Sequence, residues 1–375
     1  MLCTPRRALL PASLGFLLSA TLLAQEPLPQ RPVRVCASGD ITMGTNLDPK
    51  WPVMAGRRLR AQFGLSDSPD SLIAPLRPLF ADAEIVLINV ETAIGSGRFT
   101  PKCGPRSKNC YSFRGEPSVA RALASLGGAD AVVIGNVANN HARDAGDEGV
   151  DSTIAHLTRA RVLVTGDDTL ATPILLPGGV TIAVLGFYTS TETPDVRDLA
   201  AVRRHVARAV EMYGTVIVTA HLGAEGFNAQ RTLDSTEYFL ASRIDRGNPV
   251  AFANAALDAG ATLVVGHGPH VLRASEWRGD RLILYSLGNL ATYGPFNLIE
   301  PMNRGVVACV DVADRQVVGA ELRPTVQLAP GVLRRDGAAR ALTLIDSLST
   351  LDFPVTGARV DGSGELRRPL RQPRN

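Results

Sequence analysis

The chain has 375 residues, of which 45% are hydrophobic and 20% charged, with a formal net charge of +3. That length admits one large α/β domain or two small ones, and the composition is that of a globular protein. Near-neutral charge and an aromatic content of 5% exclude a strongly basic or base-stacking surface, so no nucleic-acid partner is expected.

The N-terminus stands apart. "MLCTPRR" carries Arg6 and Arg7 and no acid, "ALLPASLGFLLSATLLA" is apolar and uncharged, and "QEPLPQRP" turns polar. This is the layout of a secretory signal peptide over residues 1–24, with cleavage after Ala24 or Ala20. The apolar run is also long enough for an uncleaved anchor. Either way the expected location is periplasmic, extracellular or membrane-anchored.

Beyond it, apolar β-branched runs predict strands at Val33–Ser38, Ile85–Val90, Ala131–Ile134, Val162–Thr165, Thr181–Phe187, Thr215–Ala220, Ala261–Val265 and Leu282–Tyr285. Several are too uniformly apolar for a sheet with one wet face, so burial on both faces is expected. Helical patterns alternate with them: "EPSVARALASLGG", "EGVDSTIAHLTRA", "LAAVRRHVARAVEMYG" and "NPVAFANAALDAGA". The alternation predicts an α/β fold. One domain is expected over residues 33–330, with an Arg-rich tail fraying over 355–375.

Cys36 and Cys309 lie inside strand-like runs and are expected to act as small buried hydrophobes. Cys103 and Cys110 flank the loop "CGPRSKNC". Export permits a local bridge there, and two free thiols or a zinc knuckle are the alternatives.

The residues that end each strand are more telling. The first strand ends in Gly39-Asp40, the second in Asn89-Val90-Glu91, and the third in Asn139-Asn140-His141. Later strands end in His221, in His267-Gly268-Pro269-His270, and in Asn289. Open α/β sheets bind ligands beyond the carboxyl ends of their strands. Four of the six histidines stand at such ends, while His156 and His205 lie mid-helix and are left aside. Neutral imidazoles with carboxylates and amide oxygens suit a divalent transition-type ion. Such a site activates a nucleophile and stabilises charge on a phosphoryl or carbonyl group, and a nearby histidine can move the proton. Asp144 could cap the helix beginning near Glu148 or orient His141.

Together "GDITMG", "AEIVLINVETAI", "YSFRGEPSVARAL", "VANNHARDAGDEGVDSTIAHL", "VTAHLGAE", "GHGPHVL" and "LYSLGNL" resemble the poly-γ-glutamate capsule-biosynthesis proteins of the CapA type. That family is similar to calcineurin-like metallophosphatases. The resemblance implies a four-layer α/β/β/α sandwich around one or two divalent ions of Mn, Fe or Zn type. It implies Asp40, Glu91, Asn140, His221, His267 and His270 as ligands, with Glu91 bridging, and His141 as general acid. Asn139, Asp144 and Asn289 would support the chemistry, Asn289 toward the substrate, where Arg114 would reach an anionic group unless it is a surface arginine. Three departures are expected to matter: Thr42 stands where metallophosphatases carry a histidine, Gly268 where family members mostly do, and Leu222 where they carry an aromatic.

The expected function is that of an exported protein making or processing an anionic capsule polymer, with a hydrolase-type site for a phosphoester or γ-glutamyl amide. Its partners would be that polymer or a small anionic substrate. The competing reading is a non-catalytic subunit of a membrane-associated polymer synthase or export assembly. A third is an anion-binding module without metal.

Overall fold

The computed structural model describes residues 31–46, 50–96, 102–103, 110–190, 194–239 and 243–369. The expected export segment at residues 1–24 and the last six residues lie outside them. Among the described residues, no helix is long and apolar enough to cross a membrane.

The apolar runs form β1 (Val33–Thr42), β2 (Ile85–Val90), β3 (Val132–Asn136), β4 (Leu163–Thr165), β5 (Thr172–Leu175) and β6 (Thr181–Tyr188). They continue as β7 (Thr215–His221), β8 (Leu263–His267), β9 (Ser275–Arg278), β10 (Arg281–Leu284) and β11 (Asn289–Thr292). The C-terminal strands are β12 (Arg304–Ala313), β13 (Gln316–Leu328) and β14 (Val332–Arg335). One eight-stranded sheet runs β14-β13-β12-β1-β2-β3-β4, with β11 on the end of β1. A six-stranded sheet runs β9-β10-β8-β7-β6-β5. The central strands of each are parallel, so their carboxyl ends share an edge.

The two-residue period of a strand sorts side chains onto two faces, and here both faces are buried. Val35, Ala37, Ile85 and Leu87 of the large sheet pack against Val184, Ile217, Leu263 and Val265 of the smaller one. On the other face, Cys36, Val86 and Ile88 meet α1 (Lys50–Arg58), α2 (Pro69–Ile73), α3 (Ser118–Ala124) and α4 (Gly146–Arg159). Leu185, Phe187 and Val218 meet α5 (Leu199–Tyr213) and α6 (Pro249–Asp258). Each buried Val, Leu or Ile contributes roughly 1.5–3 kcal/mol. Asp198 and Asn248 cap α5 and α6 by accepting from backbone N–H groups two or three residues on.

Three expectations are corrected here. Cys36 and Cys309 are not isolated hydrophobes: they stand opposite each other on β1 and β12 and form a disulfide. The domain does not end at residue 330. Helix α7 (Arg340–Asp352) inserts Ala341, Leu342 and Ile345 into the core between the sheets. Nor does the Arg-rich tail fray from 355. Ala358 and Leu366 are buried, and Arg359–Val360 pairs with Leu366–Arg367. The Cys103–Cys110 bridge is present.

Candidate metal centre

Strand register assembles the centre. On the large sheet, Asn289, Asp40, Asn89 and Asn136 are successive cross-strand partners at the carboxyl ends. On the smaller sheet, Tyr188, His221 and His267 are partners in the same way. The two rows face each other above the core between the sheets.

Asp40 is buried and held by three groups. Its Oδ1 accepts from Asn89 Nδ2 at 2.9 Å, and its Oδ2 accepts from Gly268 N at 3.3 Å and lies 3.1 Å from His270 Nδ1. Glu91 points its Oε1 at His270 Nε2 (3.6 Å), His221 Nε2 (3.7 Å) and His141 Nε2 (4.0 Å). Asp40, Glu91 and His270 offer ligand atoms that all lie within 4.8 Å of one another. His270 has φ +58°, a left-handed backbone unusual for a non-glycine residue and typical of functional positions. Asn289 donates to the carbonyls of His270 and Met302, so its Oδ1 is free to accept from His270 Nδ1 at 3.0 Å. This leaves Nε2 facing Glu91.

The donor set fits a divalent ion. Glu91 Oε1, Asn140 Oδ1, His221 Nε2 and both His267 ring nitrogens are buried without a hydrogen-bond partner among the described residues. Buried polar atoms are normally paired, and leaving one unpaired costs about 1–3 kcal/mol. All five belong to residues expected as ligands from sequence. Burial holds His221 well below its ordinary pKa and His267 down at about 4, so both imidazoles are neutral lone-pair donors. Burial also raises Glu91 well above the usual carboxylate range, with Asp40 and Glu225 adding to it. Burial opposes ionisation of Asp40, yet His270, His221 and His267 outweigh it and hold Asp40 low.

Beside this set stands His141, whose Nδ1 lies 2.6 Å from Asp144 Oδ2. Asp144 also accepts from Phe113 N (2.6 Å) and Lys102 Nζ (2.9 Å). Its carboxylate therefore orients His141, while α4 begins without a side-chain cap. Asn139 ties the turn down: Nδ2 donates to Val90 O at 2.9 Å, and Oδ1 accepts from His141 N at 3.0 Å.

Two further candidates lie outside this cluster. Arg114 adjoins the buried Phe113 on the short strand Phe113–Gly115, where neighbouring side chains point to opposite faces. Phe113 takes the side of the centre, packing on His141 at 4.7 Å, and Arg114 lines neither cavity beside His141. Asn289 is buried behind His270 and accepts from its Nδ1.

Sequence reasoning passed over Asn89, which donates to Asp40 and accepts from Asn136 and Asn139. It also passed over Glu225 and Arg246, joined at 2.6 Å at the cleft mouth. Glu225 Oε2 is 4.0 Å from His270 Nε2. Its position four residues after His221 was the one available signal.

The signature of the family described as "Bacterial capsule synthesis protein PGA_cap" matches residues 34–293. The chain belongs to this family. Every residue of the candidate centre falls within the matched span. The chain is similar to "PGA biosynthesis protein CapA" of Bacillus subtilis (strain 168), 31% identical over 170 residues, covering 41% of this chain and 41% of that protein. It is also similar to "Capsule biosynthesis protein CapA" of Bacillus anthracis, 28% identical over 173 residues, covering 41% of this chain and 38% of that protein. The match thus spans about two-fifths of the length of these relatives. Among solved structures, an endo-1,4-beta-mannanase from Rhizomucor miehei aligns at 11% identity over 61% of this chain and 71% of that chain. Its TM-score of 0.22 is too low to bear on this capsule synthesis family's fold or chemistry.

Proposed function

We propose that this member of the capsule synthesis family is an exported, metal-dependent hydrolase acting on an anionic capsule polymer or a small anionic substrate. On this reading the two facing sheets with their outer helices are the four-layer α/β/β/α sandwich of metallophosphatase type. Asp40, Glu91, Asn140, His221, His267 and His270 would hold one or two divalent ions of Mn, Fe or Zn type. When bound, such an ion supplies a Lewis acid that polarises a phosphoryl or carbonyl oxygen and activates water. The observation that carries the proposal is that five buried ligand atoms, on residues at the carboxyl ends of the two facing sheets, have no hydrogen-bond partner among the described residues.

The chain's own residues do the rest. With Asp144 accepting from Nδ1–H, neutral His141 turns the Nε2 lone pair toward the centre. It can take a proton there and return it to a leaving oxygen or nitrogen. Phe113 packs on its ring and keeps water off that face.

A second reading, a non-catalytic subunit of a membrane-associated synthase or export assembly, has one observation in its favour. Thr42 contributes a hydroxyl 3.4 Å from Glu91 Oε2 where metallophosphatases carry imidazole, and Gly268 contributes no side chain at all. The deciding experiment is elemental analysis of freshly purified protein, followed by a turnover screen over phosphoesters and γ-glutamyl peptides. Metal-free protein after mild handling sinks the metal-based reading. Metal-loaded protein inert on every substrate, yet retained by membrane partners, favours the second.

A further inference from the structure

The cleft leading to the candidate centre has two unlike sides. On one side of His141 a cavity of about 350 Å³ is walled by Phe113, Phe239, Pro295, Phe296 and Met302. On the other a cavity of about 260 Å³ is walled by Lys102, Tyr188, Ile244 and Arg246. Tyr111, His141, Glu225 and Phe239 border both, so the proton-transfer group stands at the junction.

The aromatic side is built before any ligand arrives. Phe113 is buried and stacks on the half-buried Phe296 at 4.8 Å. Phe296 in turn meets the His270 ring edge-on at 6.5 Å. Apolar rings left partly in water beside an ion-binding centre gain about 25 cal/mol for each Å² that a ligand covers. The volume suits a ring or short chain and is too small for a protein helix. The opposite side is the charged one: Arg246 is paired there with Glu225 at 2.6 Å and Lys102 with Asp144 at 2.9 Å, and an anionic group can share these donors.

We propose that the substrate is amphipathic at the reacting bond. An apolar or ring-bearing group lies against Phe296 and Met302, and the anionic ester or amide it carries lies at the centre, toward Arg246 and Lys102. This rests on the hydrolase reading for the identity of the reacting bond and goes beyond it in naming what flanks that bond.

The test uses methyl-, phenyl- and naphthylphosphonate, which mimic a phosphoester and are not cleaved, titrated calorimetrically into the metal-loaded full chain. Affinity should rise along the series by on the order of tenfold or more. Phe296→Ala should collapse the naphthyl-to-methyl affinity ratio toward one, and Phe239→Ala should lower the same ratio. Equal affinity for all three probes overturns the proposal, as does an equal loss for all three in both variants. Graded binding without turnover of the matching phosphate esters or of aryl-bearing γ-glutamyl amides would refute hydrolysis and leave standing only the apolar subsite beside the centre. Turnover without graded binding would do the reverse.

Discussion

Arg273 and Glu237 form a two-pronged ion pair at 2.9 Å and 2.7 Å, with the Arg273 side chain 1% exposed. Arg273 lies three residues after His270. Its guanidinium also donates to the carbonyls of Ala229 and Ala224, and Glu237 accepts from Ala224 N at 2.6 Å. The pair therefore fastens the segment bearing Glu225 and Phe239 to the segment bearing His267 and His270. Removing one partner of a buried pair costs about 3–5 kcal/mol, because the other charge is left stranded. Arg273→Met should destabilise by that amount in chemical denaturation. Arg273→Lys keeps the charge and loses the planar fork, so an intermediate loss is expected. Equal stability of Arg273→Met and the parent would show that the pair does not hold this loop.

The His141–Asp144 contact makes a separable prediction. His141→Gln should lower turnover by about 10²–10⁴-fold, the usual contribution of a positioned proton-transfer group. Metal content should stay unchanged, since His141 Nε2 is 4.0 Å from Glu91 Oε1 while Asp40, Glu91 and His270 form the tight cluster. Elemental analysis and turnover measured on one preparation check both halves. Loss of metal with retained activity would reverse the assigned role.

Protons should leave when an ion binds. Burial disfavours charge on His270, but Glu91, Asp40 and Glu225 outweigh it and raise its pKa to about 10. Metal-free protein at neutral pH therefore carries a proton that a ligand nitrogen must lose. Calorimetry in buffers of differing ionisation enthalpy should detect proton release from His270 and from Glu91, whose raised carboxyl must also ionise to bind, with affinity rising with pH. The metal-free fold should behave oppositely. Stabilisation from charged His270 is complete below pH 6.5 and is lost as pH rises toward 10. His267, held at about 4 by burial, costs stability as pH falls from 6.5 toward 4. Binding without proton release would show that His270 is not a ligand.

Much of this architecture was legible because its signals are local. A run such as Ile85–Val90 is buried at every position, and its near-continuous apolar character is that of a strand covered on both faces. The polar residue ending each run can then be read as lying on a shared edge, which makes Asp40, Glu91, His221 and His267 candidates. What was not legible depends on partners distant in sequence. Asn89 looks like any strand-end amide until register places it beside Asp40 and Asn136. Glu225 and Arg246 come together only through folding of the segment after His221. Strand alternation at Phe113–Gly115, which gives the inner face to Phe113, is likewise not written in three residues. The Arg-rich tail looked unable to pack, yet Leu366 and Ala358 each supply a buried anchor, and charge composition does not reveal two well-placed apolar residues.

The Cys36–Cys309 bridge was invisible for the same reason: a sequence separation of 273 hides the fact that β1 and β12 are neighbours. It also makes the sharpest stability prediction. A crosslink restricts the unfolded chain, and in the chain-entropy description its effect grows with the logarithm of loop length. For a separation of 273 this amounts to about 5.6 kcal/mol, and for the Cys103–Cys110 separation of 7 to about 2.4 kcal/mol. The double substitution Cys36→Ala/Cys309→Ala should therefore destabilise more than Cys103→Ala/Cys110→Ala, by about 3 kcal/mol. Side-chain packing widens the gap, because Cys36 and Cys309 both belong to the core beneath α1 to α4. Denaturation of the two double variants against the oxidised parent measures the difference. Equal losses would mean that the long-range bridge does little to hold the large sheet together.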